Sequence, residues 1–328
     1  MPEPTALLFA TPVDNAPWEA YHRPYVRDLA YALACPDVLT RWLEFAPHQN
    51  TPPIAVHSSE FWLAQFSAYQ QRLHELDNTD AYQDLTRYLL KRPSPNRLGF
   101  HFEGLLAFWL EDGYTRGLHP YETLASNIQL YNGKQTVGEL DLILYNHEDK
   151  RVEHWELAIK FFMGSYPFAP ENWVGINSND NLERKMTHMQ TKQFRAVWVE
   201  TENHGQVKID KRYALIKGRF FLPMNSNDLS YFEWPDWLSS DFPMHKWCDK
   251  SDKVNLAMLD TNNLRLAHYI EWFTKREFYD NCQVKLTGFD KNSNKQPDDA
   301  LPRTGLYFEG DRFIVIYPQQ RDHVDNES

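Results

Sequence analysis

Two apolar runs separated by a polar turn form the clearest pattern of hydrophobic and polar positions in this chain. The first run spans residues 138–145, the second spans residues 154–161, and the polar segment 146–151 lies between them. Short runs of this kind, bounded by polar turn residues, are typical of strands. We therefore expect a β-hairpin. Each run also carries charged residues, which a strand buried in a core does not tolerate unless they are compensated.

The spacing of the acids across this hairpin predicts that two of them lie side by side. If the turn centres between residues 148 and 149, Asp141 and Glu156 are equidistant from the centre and lie opposite each other. Directly opposed side chains on paired strands have Cβ atoms about 5 Å apart. A divalent cation is the usual compensation for clustered carboxylates, so the pattern predicts a Mg²⁺ or Mn²⁺ site here.

Patterns elsewhere predict helices before the hairpin and mixed structure after it. Apolar residues recur at helical spacing through residues 18–92, and the segment 91–96, with two prolines, ends that region. The same reasoning predicts a helix over 263–279, two strands over 306–309 and 312–317, and a polar tail over 319–328.

Composition is typical of a folded protein, since 42% of the 328 residues are hydrophobic and 24% are charged. The net charge of −11 argues against a surface that attracts phosphate everywhere, because nonspecific affinity for DNA depends on basic contacts. A local basic face is still compatible with binding of nucleic acid. The candidates for it are Lys91, Arg92, Arg97, Arg184, Lys185, Lys192, Arg195, Lys211, Arg212, Lys217 and Arg219.

Cysteine usage and the ends of the chain predict a cytoplasmic protein. Cys35, Cys248 and Cys282 are far apart and odd in number, which fits reduced thiols better than a disulfide framework. The start has no basic segment typical of a secretion signal, and no apolar run of about 18 residues follows. We expect no membrane partner, and the sequence leaves the oligomeric state open.

The motif Gly-Glu-Leu-Asp-Leu-Ile at residues 138–143, followed by a strand with Glu156 and Lys160, resembles the metal site of the PD-(D/E)XK nuclease superfamily, especially its Holliday-junction-resolvase-like members. In that superfamily a helix, three strands, a helix and a strand follow one another. An acid lies on the first helix, an aspartate on the second strand and Glu-x-Lys on the third. More loosely, the whole chain resembles an uncharacterised bacterial family assigned to that superfamily.

The resemblance implies an α/β fold with a mixed central sheet and flanking helices, which is a restriction-endonuclease-like core. It places this core at residues 96–223, after an N-terminal helical region (1–95) and before a C-terminal α+β extension (224–328). Within the core it implies a helix over 97–111, a strand over 123–131, the hairpin, a helix over 181–195 and a last strand over 212–221.

The resemblance also implies roles for individual residues. Asp141 and Glu156 are expected to bind the metal with Glu103, and Glu139 is a further metal ligand, directly or through water. Each of these acids has a structural alternative as an ion-paired or solvated residue. Gln193 is expected to orient the nucleophilic water or bind phosphate, although such a glutamine is more often a plain helix-surface residue.

Lys160 departs from the superfamily pattern. The expected lysine position, two residues after Glu156, is held by Ala158, and Lys160 comes four residues after the glutamate. Four strand residues span about 13 Å along the backbone. Either Lys160 reaches the site through its length or a β-bulge, and then stabilises charge at the phosphate, or the site is degenerate.

The leading expectation is therefore a Mg²⁺-dependent nuclease acting on nucleic acid, with DNA preferred to RNA as the expected substrate. The alternative is a catalytically inactive protein of the same fold that binds nucleic acid or protein. A third alternative makes the acids salt-bridged residues of an interaction protein. Binding of Mg²⁺ or Mn²⁺ separates this last alternative from the first two.

Overall fold

The computed structural model describes residues 16–318, apart from 46–51, 93, 95–96, 133–134, 178, 225–229, 261–263 and 281–302. The helices are α1 (Pro24–Ala34), α2 (Ser59–Asn78), α3 (Tyr82–Lys91), α4 (Leu98–Thr115), α5 (Leu182–His188), α6 (Lys253–Ala257) and α7 (Glu277–Asp280). Short 3₁₀ turns lie at Pro17–Ala20, Pro170–Asn172 and Tyr269–Trp272, and a π-helical segment lies at Met189–Gln193. The strands are β1 (Ile54–Ala55), β2 (Tyr121–Asn132), β3 (Gln135–Asn146), β4 (Arg151–Gly164), β5 (Trp173–Gly175), β6 (Trp198–Thr201), β7 (Gly205–Lys208), β8 (Lys211–Pro223), β9 (Met244–Asp249), β10 (Leu264–Leu266), β11 (Gly305–Glu309) and β12 (Arg312–Tyr317).

One large mixed sheet organises the described residues. Its strand order is β10-β11-β12-β9-β8-β4-β3-β2, with β1 paired to β8 and β5 paired to β4, while β6 and β7 form a separate hairpin. The central strands β4 and β8 are parallel, and β3 runs antiparallel to β4. The predicted α/β class with a mixed central sheet and flanking helices is confirmed. Strands from all three predicted segments join this sheet.

The face of β4 that carries Trp155 is covered by the N-terminal helices. The side chain of Ser58 accepts a hydrogen bond from the third residue of α2 and so caps the start of that helix. Trp62 of α2 and Trp109 of α4 then pack near Trp155, with ring centroids 6.3 and 6.4 Å from it. All three tryptophans are buried. Since side chains alternate along a strand, Glu156 faces the opposite side of the sheet.

The register of the β3–β4 hairpin is the one predicted from the position of its turn. Leu142 pairs with Trp155 at the end of the regular ladder, so the next position brings Asp141 beside Glu156. A hydrogen bond between the side chains of these two acids shows that they lie on the same face of the sheet.

Most of the other predicted elements are present with small shifts at their ends. The helix predicted over 97–111 is α4, and the strands predicted over 123–131, 212–221, 306–309 and 312–317 are β2, β8, β11 and β12. The helix predicted over 263–279 is wrong, because β10, a 3₁₀ turn and α7 occupy the described part of it. Arg265 in β10 pairs with Phe308 in β11, a distant partner that local periodicity does not reveal.

Three residues of the predicted basic face lie inside the protein. Lys217, Arg212 and Arg219 are at most 3% exposed. The ammonium of Lys217 donates to the carbonyl oxygens of Ala32 and Cys35, at 2.7 and 2.6 Å. The two arginines also donate to backbone carbonyls. These three candidates therefore do not contribute to a basic surface face, because they are buried and donate to backbone carbonyls in the interior.

Two of the three cysteines can be placed. Cys35 and Cys248 are buried free thiols, whereas Cys282 and the predicted polar tail lie outside the described residues. Among the helices that the structure describes, none is long and apolar enough to cross a membrane.

Candidate active site

The centre of the candidate site is the pair formed by Asp141 on β3 and Glu156 on β4. One carboxylate oxygen of Asp141 accepts a hydrogen bond from the backbone N–H of Leu157 at 2.7 Å, and the carboxyl group is also hydrogen-bonded to that of Glu156. Burial raises the pKa of Asp141 well above its usual range, and the nearby charge of Glu156 raises it further. Burial also raises the pKa of Glu156, to about 7. Glu156 is fully buried and Asp141 is partly buried, and two such carboxyl groups in contact cannot both ionise cheaply, so without a cation they share a proton.

Two neutral side chains hold Glu156 in place. The Nε2 atom of His154 lies 3.0 Å from one carboxylate oxygen, and the amide nitrogen of Gln193 donates to the other. Burial lowers the pKa of His154 to about 3, so its ring is neutral. Its Nδ1 atom has no hydrogen-bond partner among the described residues, which places the ring proton on Nε2.

The contact of Gln193 with Glu156 depends on a change of helix type. The helix predicted over 181–195 is α-helical only to His188, after which the chain continues as a π-helix from Met189 to Gln193. Single π-helical turns are rare and are frequent at functional sites. Here Gln193, the last residue of the π-helical segment, contacts the carboxylate of Glu156. The sequence predicted a role for Gln193 at the site. That role stays a prediction.

Glu103 lies on α4 close to the same acids. Burial and the neighbouring charge of Asp141 raise the pKa of Glu103 to about 7, and Arg92 opposes this shift. The guanidinium of Arg92 is 3.9 Å from Oε2 of Glu103, and this oxygen has no hydrogen-bond partner among the described residues. Glu139, two residues before Asp141 on β3, also raises the pKa of Glu103. Asp141 and Glu139 are thus close enough to Glu103 for their charges to act on its pKa.

Asn127 interrupts the regular pairing of β2 at the position facing Asp141. Ser126 and Ile128 pair with Leu142 and Leu140, but Asn127 between them has a φ of 54° and leaves the ladder. A residue other than glycine in this left-handed region is uncommon, and such conformations cluster at functional sites. The Asn127 side chain is hydrogen-bonded to Glu103.

Lys160 is ion-paired with Asp180. The distance from its Nζ atom to the carboxylate is 2.6 Å, and the lysine side chain is 23% exposed. Strand β8 approaches the backbone of Lys160 closely at Gly218, where an added Cβ would lie 1.7 Å from the Lys160 carbonyl oxygen. Gly218 has a φ of 136°, so only glycine fits there. The catalytic role of Lys160 stays a prediction.

Lys185 is the cation that acts most directly on the carboxyl pair. It lies on α5, and its charge lowers the pKa of both Asp141 and Glu156. Burial lowers the pKa of Lys185 itself, and the nearby Lys160 adds to that effect. The sequence suggested Lys185 only as one of many phosphate contacts. The available signal was its place in the apolar stripe of α5, between buried Leu182 and Met186.

The carboxyl pair fits a Mg²⁺ or Mn²⁺ ion of the kind that keeps most of its waters. Among the described residues, no group of three or more His, Cys, Asp or Glu side chains is arranged to hold a metal ion. Protein sites for Mg²⁺ commonly use only one or two carboxylates and complete the coordination with water and substrate phosphate. Asp141 and Glu156 supply two adjacent hard oxygen ligands, and a cation between them would replace the proton that they share.

The raised pKa of Glu156 predicts a measurable dependence of stability on pH. The folded protein keeps a proton that the unfolded chain loses above about pH 4.5, so without metal the free energy of unfolding falls as pH rises from about 4.5 to about 7. Glu156→Gln removes this loss. We expect this variant to be more stable than the wild type at pH 8, by on the order of 2 kcal/mol, and to show little gain at pH 4.5.

The measurement is denaturant unfolding at both pH values with a chelator present. Added Mg²⁺ should raise the wild-type melting temperature more at pH 8 than at pH 6, and should have little effect on Glu156→Gln. Glu148→Gln, which alters an exposed acid in the turn of the same hairpin, is the matched control. An equal response of wild type and Glu156→Gln to Mg²⁺ would contradict the assignment.

The fold and the site together define an α/β protein whose central hairpin carries two adjacent carboxyl groups with raised pKa values. The chain belongs to the family described as "Domain of unknown function (DUF1853)", which matches residues 27–301. No curated protein matches the chain. No solved structure matches it either.

Proposed function

We propose that this protein is a nuclease that requires Mg²⁺ or Mn²⁺ and hydrolyses phosphodiester bonds of nucleic acid, with DNA the expected substrate. The single observation that carries the proposal is the contact between the carboxyl groups of partly buried Asp141 and buried Glu156 on adjacent central strands. A stable core gains nothing from two adjoining carboxyl groups when burial raises the cost of ionising both and Glu156 raises that of Asp141 further. Binding of a divalent cation would account for the adjacent carboxyl groups.

The resemblance to the PD-(D/E)XK superfamily supports the same proposal. An acid on a helix, an aspartate on one strand and a glutamate on the next occur here in that order as Glu103, Asp141 and Glu156. Helix α4, which carries Glu103, precedes β2, β3 and β4, and these strands form a three-stranded antiparallel part of the sheet. Strand β8 comes later in the chain and pairs with β4, which is the arrangement expected for a restriction-endonuclease-like core. Fold likeness by itself does not establish chemistry, so the proposal depends on the acids.

In this proposal each residue has a distinct task. A bound divalent cation supplies Lewis-acid stabilisation of the charge that develops on the phosphoryl oxygens. Asp141 and Glu156 bind that cation, and Gln193 and His154 fix the orientation of Glu156. Lys185, close to both acids, contributes positive charge toward the scissile phosphate.

Glu103 is suited to act on a proton. A carboxyl group whose pKa is raised to about 7 is present in both protonation states near neutral pH, which is the property of an effective general acid or base. Its Oε2 atom is buried and has no hydrogen-bond partner among the described residues. Glu139 remains a candidate for a second cation, directly or through water.

The proposal is tested by incubating the purified protein with labelled single-stranded DNA, duplex DNA, branched DNA and RNA. We expect cleavage of at least one substrate with Mg²⁺ or Mn²⁺ and none with a chelator. Calorimetry should show metal binding accompanied by proton release near pH 7, because the cation displaces the shared proton. The heat of binding should therefore change with the ionisation enthalpy of the buffer.

A second candidate function is binding of nucleic acid without cleavage. It is favoured by the observation that both oxygens of Glu156 already have protein partners and that Lys160 is paired with Asp180. A protein of this kind would bind nucleic acid with or without metal and would cut none of the substrates. Absence of both cleavage and metal binding in the two experiments would reject the nuclease.

A further inference from the structure

A cavity of about 410 Å³ lies beside the carboxyl pair. It is lined by Tyr88, Lys91, Arg92, Phe100, Asn127 and Glu139. Asn127 faces Asp141 across β2 and β3, and Glu139 lies two residues from Asp141, so the cavity adjoins the proposed metal site. Its volume is within the range of about 300–1,000 Å³ that is usual for small-molecule sites.

The polar groups of this cavity are incompletely satisfied. The Nε atom of Arg92 is buried without a hydrogen-bond partner among the described residues. The guanidinium reaches Glu103 only at 3.9 Å, which is long for a charge-assisted hydrogen bond. Lys91, next to it in the chain, is exposed. Arg92 and Lys91 are adjacent cations at this cavity, and such a pair, in a chain of net charge −11, is suited to hold a phosphate group.

The cavity also offers aromatic surface. Phe100 lines it and is only partly buried, and within the described part of the chain its ring stacks on no other aromatic ring. Tyr88, by contrast, packs edge-on against Phe108, with ring centroids 5.5 Å apart. A ring with an available face beside phosphate-binding cations is the combination that proteins use to hold an unstacked base.

A second cavity, of about 500 Å³, lacks these properties. It lies between the N-terminal helices and the segment around Tyr269–Trp272. Two buried side chains that line it, Arg276 and His101, both contact the carboxylate of Asp28, at 2.5 and 2.8 Å. Their hydrogen-bonding capacity is directed at that acid, so the smaller cavity is the better site for an anionic ligand.

We propose that the cavity beside the carboxyl pair is a subsite for one unpaired nucleotide of the substrate. Phe100 stacks on the base, and Arg92 with Lys91 holds the phosphate, while the neighbouring phosphodiester lies at Asp141 and Glu156. A base within a duplex is stacked on both sides and cannot enter such a cavity unless it leaves the helix. The inference rests on the proposed nuclease function and assigns its substrate class, which is single-stranded nucleic acid or a strand with unpaired nucleotides.

The test is fluorescence anisotropy with a short labelled single-stranded DNA and a blunt duplex of the same sequence, both in chelator so that neither is cut. We expect the single strand to bind more tightly. Phe100→Leu, which keeps an apolar side chain but removes the ring, should weaken single-strand binding by roughly fivefold to a hundredfold and leave duplex binding unchanged. Arg92→Ala should also weaken single-strand binding. Lys208→Ala, an exposed cation on β7, is the control and should change neither.

Competition separates a nucleotide site from a phosphate site. A nucleoside monophosphate should displace the single strand at concentrations where inorganic phosphate does not. Equal competition by the two, or wild-type affinity of Phe100→Leu for the single strand, would overturn the subsite.

These outcomes are distinct from failure of the nuclease itself. If no substrate is cleaved but single-strand binding still requires Phe100, the subsite stands on a non-catalytic protein. If cleavage requires metal but Phe100→Leu cuts single-stranded DNA at the wild-type rate, the nuclease stands and the subsite is wrong.

Discussion

Asp141→Asn is expected to abolish metal-dependent cleavage of nucleic acid while leaving the fold intact. The carboxamide oxygen of asparagine can still accept the hydrogen bond from Leu157, and its amide nitrogen can donate to Glu156 in place of the shared proton. Packing is therefore preserved, but one anionic metal ligand is lost. We expect the cleavage rate with Mg²⁺ to fall by at least about 10²-fold, the scale on which direct contacts to a reaction centre act.

The measurement is the single-turnover cleavage rate of the variant beside its melting temperature in chelator. The matched control is Asp241→Asn, which makes the same change at an exposed aspartate away from the hairpin and should cleave at the wild-type rate. Equal cleavage by wild type and Asp141→Asn would mean that the activity comes from another site or from a contaminant.

Lys185→Met is expected to cause the second large loss. The charge of Lys185 acts on the pKa of both acids, whereas that of Lys160 is held by Asp180 at 2.6 Å. Removing this ammonium should lower the cleavage rate by about 10²-fold. Metal affinity should be kept or increased, because the carboxyl pair loses a competing positive charge.

Comparison with Lys160→Met distinguishes the two lysines. We expect Lys160→Met to lose less activity, and Lys185→Arg, which keeps the charge, to recover part of the rate. If Lys160→Met abolishes cleavage while Lys185→Met cleaves normally, Lys160 is the catalytic lysine in spite of its spacing. In all variants, calorimetry with Mg²⁺ verifies that the metal site is retained.

Local sequence was sufficient to predict the hairpin and the position of its acids. Alternation along two short runs defines which side chains share a face, and a short turn restricts the register to one alignment. For that reason the contact between Asp141 and Glu156 follows from residues 138–161 without knowledge of the rest of the fold. The strands β11 and β12 were predictable on the same ground, whereas α4, β2 and β8 were expected from the family resemblance.

Other features depend on partners that lie far away in the chain. Lys217 looked like a surface cation, but strand β8 runs through the interior and the carbonyl groups of Ala32 and Cys35 meet it there. The segment over 263–279 has helical periodicity, yet β10 joins a sheet edge that β11 provides. Periodicity reports which side chains could be buried together and says nothing about which distant backbone groups need a partner.

The environment of the site was likewise decided by the tertiary structure. The sequence by itself determined the paired acids, because their contact is a local property of one hairpin. Only the packed fold brought Lys185 on α5 beside them, placed Gln193 on Glu156 through a π-helical turn, and left Asn127 outside the ladder opposite Asp141. Each of these contacts depends on how separate helices and strands pack against one another. The free energy that stabilises this packing comes from burial of apolar surface over the whole core.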